Sequence, residues 1–122
     1  MAPADRRKKN ESNCGIDKMS IFSILGIGNG KIKEALRRGA PVIDVRTATE
    51  FDLGKIQGSI NIPLDRLNIN LERIRHMQKP IIICSNSDFE NEKAISFLKM
   101  NGVKEIHNGG SWTRVLRMTK SI

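Results

Sequence analysis

The chain has 122 residues, 39% of them hydrophobic and 28% charged, which suits one globular domain rather than several. No apolar run approaches the roughly 20 residues a membrane helix needs. Two cysteines, with no C-x-x-C or H-x-x-x-H spacing, argue against a disulfide scaffold and against structural zinc. The net charge of +8 arises from 21 Lys and Arg against 13 Asp and Glu; it forms no basic stripe interleaved with aromatics, so no specific nucleic-acid recognition is expected. An anionic small substrate or an acidic protein partner fits that charge equally well.

Residues 1–18 hold five basic and three acidic groups with no apolar periodicity, and a disordered basic tail is expected there. The stretch Asn10–Asp17 is not the apolar region a secretory signal needs. Ile21–Gly30 reads as a packed lead-in and turn; its G-x-G-x-G lacks the dinucleotide-loop pattern. Ile32, Ala35 and Leu36 share one helical face in a helix over 31–38, stopped by Gly39. Pro41–Val45 reads as a buried strand, and Thr47 with Glu50 forms a capping-box pattern that starts a short helix.

Gly58–Ile62 reads as a further strand closed by Pro63, and Leu64, Leu67, Leu71 and Ile74 recur at helical spacing to about Met77. Pro80–Cys84 is the most apolar segment and predicts a central strand of a parallel sheet. Ser85–Asn91 is a polar loop, followed by a helix over 92–101 with Gly102 at its end. Val103–His107 reads as a last strand, Gly109–Gly110 as a turn and 111–118 as a final helix. Strands alternating with helices predict an α/β fold, a small and mainly parallel sheet of about five strands flanked by helices.

Asp44-Val45-Arg46, Glu50-Phe51, Gly54-Lys55-Ile56, Gly58 and Asn61-Ile62-Pro63, followed by Asn101-Gly102 and Asn108-Gly109-Gly110 with Trp112, resemble the rhodanese signature over roughly residues 30–118. The resemblance implies a rhodanese-like domain over 19–122. It also implies a site in the loop after the central strand. In active members that loop runs roughly C-x-x-G-x-R into a helix. The cysteine thiolate carries a persulfide, backbone N–H groups and the helix N-terminus stabilise it, and the arginine binds an anionic sulfur donor.

Counting back without gaps from the helix around 93–98 places Ser85 on the nucleophilic cysteine, Asp88 on the glycine and Glu90 on the arginine. Cys84 falls one residue early. A serine hydroxyl neither ionises near neutral pH nor forms a persulfide, and two carboxylates oppose an anionic donor. The site expected from this register comprises Ser85 at the nucleophile position, the loop Ser85, Asn86, Ser87, Asp88, Phe89, Glu90 and Asn91, and three structural neighbours, Asp44, Arg46 and Glu50.

Two functions follow, a degenerate module that binds a partner or ligand through this loop, or an atypical sulfurtransferase with its persulfide on Cys84. Cys84 read as a buried small hydrophobe favours the first. A phosphatase reading of Cys84 to Glu90 lacks the phosphate-binding arginine, and Asp88 with Glu90 reads as a solvated acidic loop rather than a metal or acid–base pair. His76, His107 and Cys14 are not placed for chemistry. No cofactor or metal is expected, the partner being a small sulfur-containing anion or a protein, and the chain is expected to be a cytoplasmic monomer with no membrane association.

Overall fold

The computed structural model describes residues 30–122. The expected basic tail with Cys14 and the segment before Gly30 lie outside the described residues. Helix α1 (Gly30–Arg37) buries Ile32 and Ala35, the apolar stripe expected of it. It ends where Gly39 takes a left-handed φ of 83°, a conformation glycine adopts without cost. Strand β1 (Val42–Asp44) is followed by α2 (Ala48–Leu53). The Thr47 side chain accepts from the Glu50 N–H while the Glu50 side chain accepts from the Thr47 N–H, so the capping box is complete.

Strand β2 (Ile60–Asn61) is two residues long, shorter than Gly58–Ile62. The apolar spacing from Leu64 onward does not build one helix. It builds two 3₁₀ turns, Leu64–Arg66 and Asn68–Asn70, and then a short α3 (Leu71–Arg75). Pro63 precedes the first turn, and the Asn70 side chain donates to the Arg66 carbonyl at 2.8 Å. Such local asparagine bonds compete with a continuous helical ladder. Leu67 and Ile74 nevertheless reach the core, so the apolar spacing reports burial rather than an unbroken helix.

Strand β3 (Ile81–Ser85) is buried at every position. It leads through two residues into α4 (Asp88–Met100), then β4 (Ile106–Ser111) and α5 (Trp112–Lys120). All strand pairs are parallel, in the order β2-β1-β3-β4. The sheet therefore has four strands among the described residues, against the five or so expected. Gly109 and Gly110 do not make a turn; they lie inside β4, at a bulge. Between Ile83–Asn108 and Ser85–Ser111, β4 advances three residues while β3 advances two. A Cβ on Gly109 would stand 2.8 Å from Val115 Cγ2 and 2.9 Å from Ile82 Cγ2, so helix and sheet meet there over a bare backbone.

Side chains alternate across β3. Ile81 and Ile83 face one layer with Ile74, Ala94, Ile95 and Leu98 of α3 and α4. Ile82 and Cys84 face the other, with Ile32 and Ala35 of α1 and Val115 and Met118 of α5. Each fully buried isoleucine of β3 contributes about 1.5–3 kcal/mol. Among the described residues no helix is long and apolar enough to cross a membrane.

Candidate functional site

The carboxyl ends of β1 and β3, the start of α4 and the β4–α5 junction converge at one edge of the sheet, where ligands of open parallel sheets bind. Period-2 alternation decides which side chain reaches that edge. Cys84 packs on the α1–α5 side with Ile82 and Val115, fully buried. Burial first, and then the nearby Asp44 charge, push its thiol pKa up to about 12, so almost no thiolate exists at neutral pH.

Ser85 ends the strand, also fully buried. Its Oγ donates to the Ser87 carbonyl at 2.9 Å and accepts from the Ser87 N–H at 3.3 Å. The hydroxyl thus closes a small ring with the backbone of the next turn. The connecting loop is shorter than expected, since α4 begins at Asp88 rather than near Asn91. Ser87 caps the helix by accepting from the Glu90 N–H. Asp88 and Glu90 stand in the first turn, where the helix dipole favours anions. The serine at 87 with glutamate three residues on is a helix-start signal present in the sequence.

The remaining loop residues divide by role. Asn86 donates to Glu50 Oε2 at 2.9 Å and so ties the loop to α2. Phe89 is 69% exposed, with Lys93 Nζ 4.6 Å from its ring centroid. Asn91 is fully buried; its amide donates to Asn108 Oδ1 at 2.8 Å and to the Gly110 carbonyl at 2.9 Å, locking α4 to the bulge of β4. Its Oδ1 has no hydrogen-bond partner. Asp88 reaches the same bulge, with Oδ1 3.5 Å and Arg114 Nη1 2.8 Å from the place a Cβ on Gly110 would occupy.

Behind the loop, Asp44 and Arg46 form a buried pair at 2.7 Å. The guanidinium donates twice more to Asp44, at 2.9 and 3.0 Å, and to the carbonyls of Glu50 and Gly54 at 3.2 and 2.6 Å. It lies 4.4 Å from the Trp112 ring centroid. Every face of Arg46 is engaged, so it is a strut that fixes α2 against the sheet rather than an anion receptor. Glu50 holds its carboxyl below the usual range through the Thr47 N–H, then Asn86 and the Thr47 hydroxyl. Asn61, outside the expected site, donates to the carbonyls of Asp44 and Arg46 and braces the same turn.

A cavity of about 300 Å³ opens beside the loop, lined by Val45, Arg46, Thr47, Glu50, Leu64, Asp65 and Glu90. Three of those residues are carboxylates, and Asp65, which follows Pro63 in the first 3₁₀ turn, was absent from the residues expected on sequence grounds. Among the described residues no three His, Cys, Asp or Glu side chains gather as a metal site would require. His76 Nδ1 is 2.7 Å from the Glu72 carbonyl, and His107 pairs with Ile82 inside the sheet, so neither joins the loop.

The model for the Rhodanese-like domain family matches residues 29–114. A Bacillus subtilis (strain 168) protein described as "Uncharacterized protein YqhL" is 38% identical over 71 residues, 58% of this chain and 56% of that one. The chain thus spans a little over half the length of that relative. Among solved structures, the reduced Bacillus anthracis CoADR-RHD superposes with a TM-score of 0.60 at 26% identity, covering 96% of this chain and 23% of the other. An E. coli rhodanese with anions gives 0.56 at 22%, covering 62% and 89%, and a human single-domain sulfurtransferase, TSTD1, gives 0.55 at 21%, covering 72% and 91%. The last two likenesses concern the fold alone.

Proposed function

Because the chain belongs to the rhodanese-like domain family, we propose that it is a catalytically silent member of that family, acting as a binding or regulatory module through the loop at the start of α4. The observation that carries the reading is the pair of neighbours at the end of β3. Ser85, at the position where the family cysteine is expected, is a buried hydroxyl bonded to the Ser87 backbone. Cys84 faces the opposite core with its pKa pushed up to about 12. One residue has the position without the chemistry, and the other has the chemistry without the position.

Electrostatics supports the same reading. Glu50, Asp65 and Glu90 line the adjoining cavity. At 4 Å two like unit charges repel by about 1 kcal/mol in water and about 4 kcal/mol at an effective dielectric of 20. Thiosulfate or another sulfur anion would meet several such terms, and Arg46 is already neutralised by Asp44. The partner on this reading is a protein segment rather than a small anion, and the domain works as a cytoplasmic monomer. Among the described residues the one thiol, Cys84, is free and buried, which suits a reducing compartment.

The test is thiocyanate formation from thiosulfate and cyanide. The wild type is expected to show no turnover above the rate of the uncatalysed mixture. Ser85→Cys alone recovers little, and Ser85→Cys with Asp88→Gly and Glu90→Arg recovers more, because together they supply nucleophile, turn and anion site. Wild-type turnover that Cys84→Ala abolishes would refute the silent reading and make Cys84 the sulfur carrier.

A further inference from the structure

A second cavity, of about 410 Å³, adjoins the first. Leu64, Leu67 and Phe97 form its apolar wall, with Asp65, Asn68 and Lys93 at its margins. The two cavities share Leu64 and Asp65, so they form one groove between the 3₁₀ segment after Pro63 and the face of α4. Glu90, Lys93 and Phe97 lie three and four residues apart, which sets them in one row along the helix. The groove has an apolar half around Leu64 and Phe97 and an acidic head at Glu50, Asp65 and Glu90.

The charge at the head runs against that of the molecule. The chain carries +8, yet among the described residues the only cation lining the head cavity is Arg46, and its charge is cancelled at 2.7 Å by buried Asp44. Lys93, the cation of the apolar half, has its ammonium 4.6 Å from the Phe89 ring centroid. Three carboxylates therefore act on whatever enters the head. Glu50 is held there by Thr47 and Asn86, so it remains ionised and in place at neutral pH.

We infer that this groove docks a peptide segment of a partner protein that presents an Arg or Lys side chain to the acidic head and a neighbouring Leu-, Met- or Phe-like side chain to the Leu64–Phe97 half. Charge complementarity selects the cation, and an arginine fits best because its planar fork bonds two carboxylate oxygens at once. The apolar wall supplies contact that charge alone lacks, since a single exposed ion pair contributes at most about 1 kcal/mol. In an extended peptide, side chains two positions apart face the same way about 7 Å apart, which lets one strand serve both halves. The inference rests on the reading of the loop as a binding module, since a working anion site at Glu90 would require the opposite charge.

The experiment titrates ¹⁵N-labelled full chain with three acetylated, amidated pentapeptides, Ser-Arg-Ser-Leu-Ser, Ser-Glu-Ser-Leu-Ser and Ser-Arg-Ser-Ser-Ser, to about 5 mM, the range in which short-peptide contacts saturate. The Arg–Leu peptide is expected to shift the amide signals of Thr47, Asp65, Asn68, Glu90 and Lys93 saturably. The Glu–Leu and Arg–Ser peptides should each bind about tenfold more weakly or not at all, and an Arg–Ser peptide that binds as well as Arg–Leu would overturn the apolar half. Asp65→Asn with Glu90→Gln should weaken the Arg–Leu peptide about fivefold or more, and Lys93→Glu should tighten it about threefold, a gain that misfolding does not mimic. Equal binding of the Arg–Leu and Glu–Leu peptides, shifts centred elsewhere, or no saturation would overturn the inference. Thiocyanate formation measured on the same samples separates the two claims. Turnover with Arg–Leu binding sinks the silent reading alone, and neither turnover nor binding sinks the groove alone.

Discussion

Arg46→Met tests whether the strut behind the loop carries the weight its bonds imply. Methionine keeps the aliphatic stem and its packing but removes the guanidinium. The fully buried Asp44 carboxylate then loses its cation and, among the described residues, retains only the backbone N–H of residue 46, at 3.0 Å. The carbonyls of Glu50 and Gly54 lose their donors as well. Breaking one side of a buried pair costs about 3–5 kcal/mol, a large part of the roughly 5–15 kcal/mol that holds a domain of this kind together. With a urea dependence of about 1–2 kcal/mol per molar for so small a domain, the midpoint should fall by about 1.5–5 M, measured by circular dichroism. The double variant Asp44→Leu, Arg46→Met removes both charges. It should recover part of the loss, leaving the cost of the orphaned carbonyls and the Arg46 N–H, about 1–3 kcal/mol for each group that stays dry. A single variant that costs under about 1 kcal/mol, or a double variant that loses the sum of the two single changes, would refute the claim that the pair is a desolvated strut.

The Cys84 thiol, raised from 9.0 to about 12 in the folded chain, keeps its proton where the unfolded chain gives it up. Its contribution is therefore whole below about pH 9 and lost as pH climbs toward 12, by about 1.4 kcal/mol per pH unit; urea melts should show a steeper alkaline loss for wild type than for Cys84→Ala, and parallel curves would refute it. Thr47→Ala removes the acceptor of the Glu50 N–H at the start of α2 and should cost about 1 kcal/mol in the same melts. Gly109→Ala drives a Cβ to 2.8 Å from Val115 Cγ2 and 3.1 Å from the Ile83 carbonyl oxygen, so the urea midpoint should fall with a cost of about 2–3 kcal/mol. A neutral Gly109→Ala would mean that α5 does not sit directly on the bulge.

The fold was readable wherever one physical cause dominated. Ile81–Ile83 announce a strand because three consecutive β-branched residues satisfy a sheet covered on both faces. Thr47 and Glu50 announce a helix start because the capping box is a local arrangement needing no tertiary partner. The failures occur where tertiary contacts override the local pattern. Gly109-Gly110 looks like a turn because glycines favour turns, but here Val115 and Ile82 press on Gly109 in a bulged strand and leave no room for a side chain, while Gly110 takes a left-handed φ of 80°. The leucine spacing after Pro63 looks like one helix because burial alone sets it, and the two 3₁₀ turns bury Leu67 and hand over to α3, which buries Ile74. Ser87 and Glu90 are a legible helix start that counting back from the downstream helix passes over, so the expected loop runs to Asn91 where the observed one ends at Ser87.

The site shows how far a one-residue register can carry chemistry. In a strand, successive side chains part company to opposite faces, so Cys84 and Ser85, adjacent in sequence, belong to different environments. Cys84 joins Ile82 and Val115 in a dry layer where a thiolate is costly. Ser85 turns back onto the Ser87 backbone at the mouth of the loop. That separation follows from the period of the strand, and it was legible once Pro80–Cys84 was recognised as one. The acidic groove was not legible, because Glu50, Asp65 and Glu90 are far apart in the chain and only the packing of α2, the first 3₁₀ turn and α4 brings them to one cavity. Arg46 makes the same point from the other side. The sequence marks it as a structural neighbour of the loop, and its bonds to Asp44, Glu50 and Gly54 give that role its form, a charge already used inside the protein. What faces the solvent at this edge of the sheet is therefore set by the carboxylates that remain, and they favour a cation.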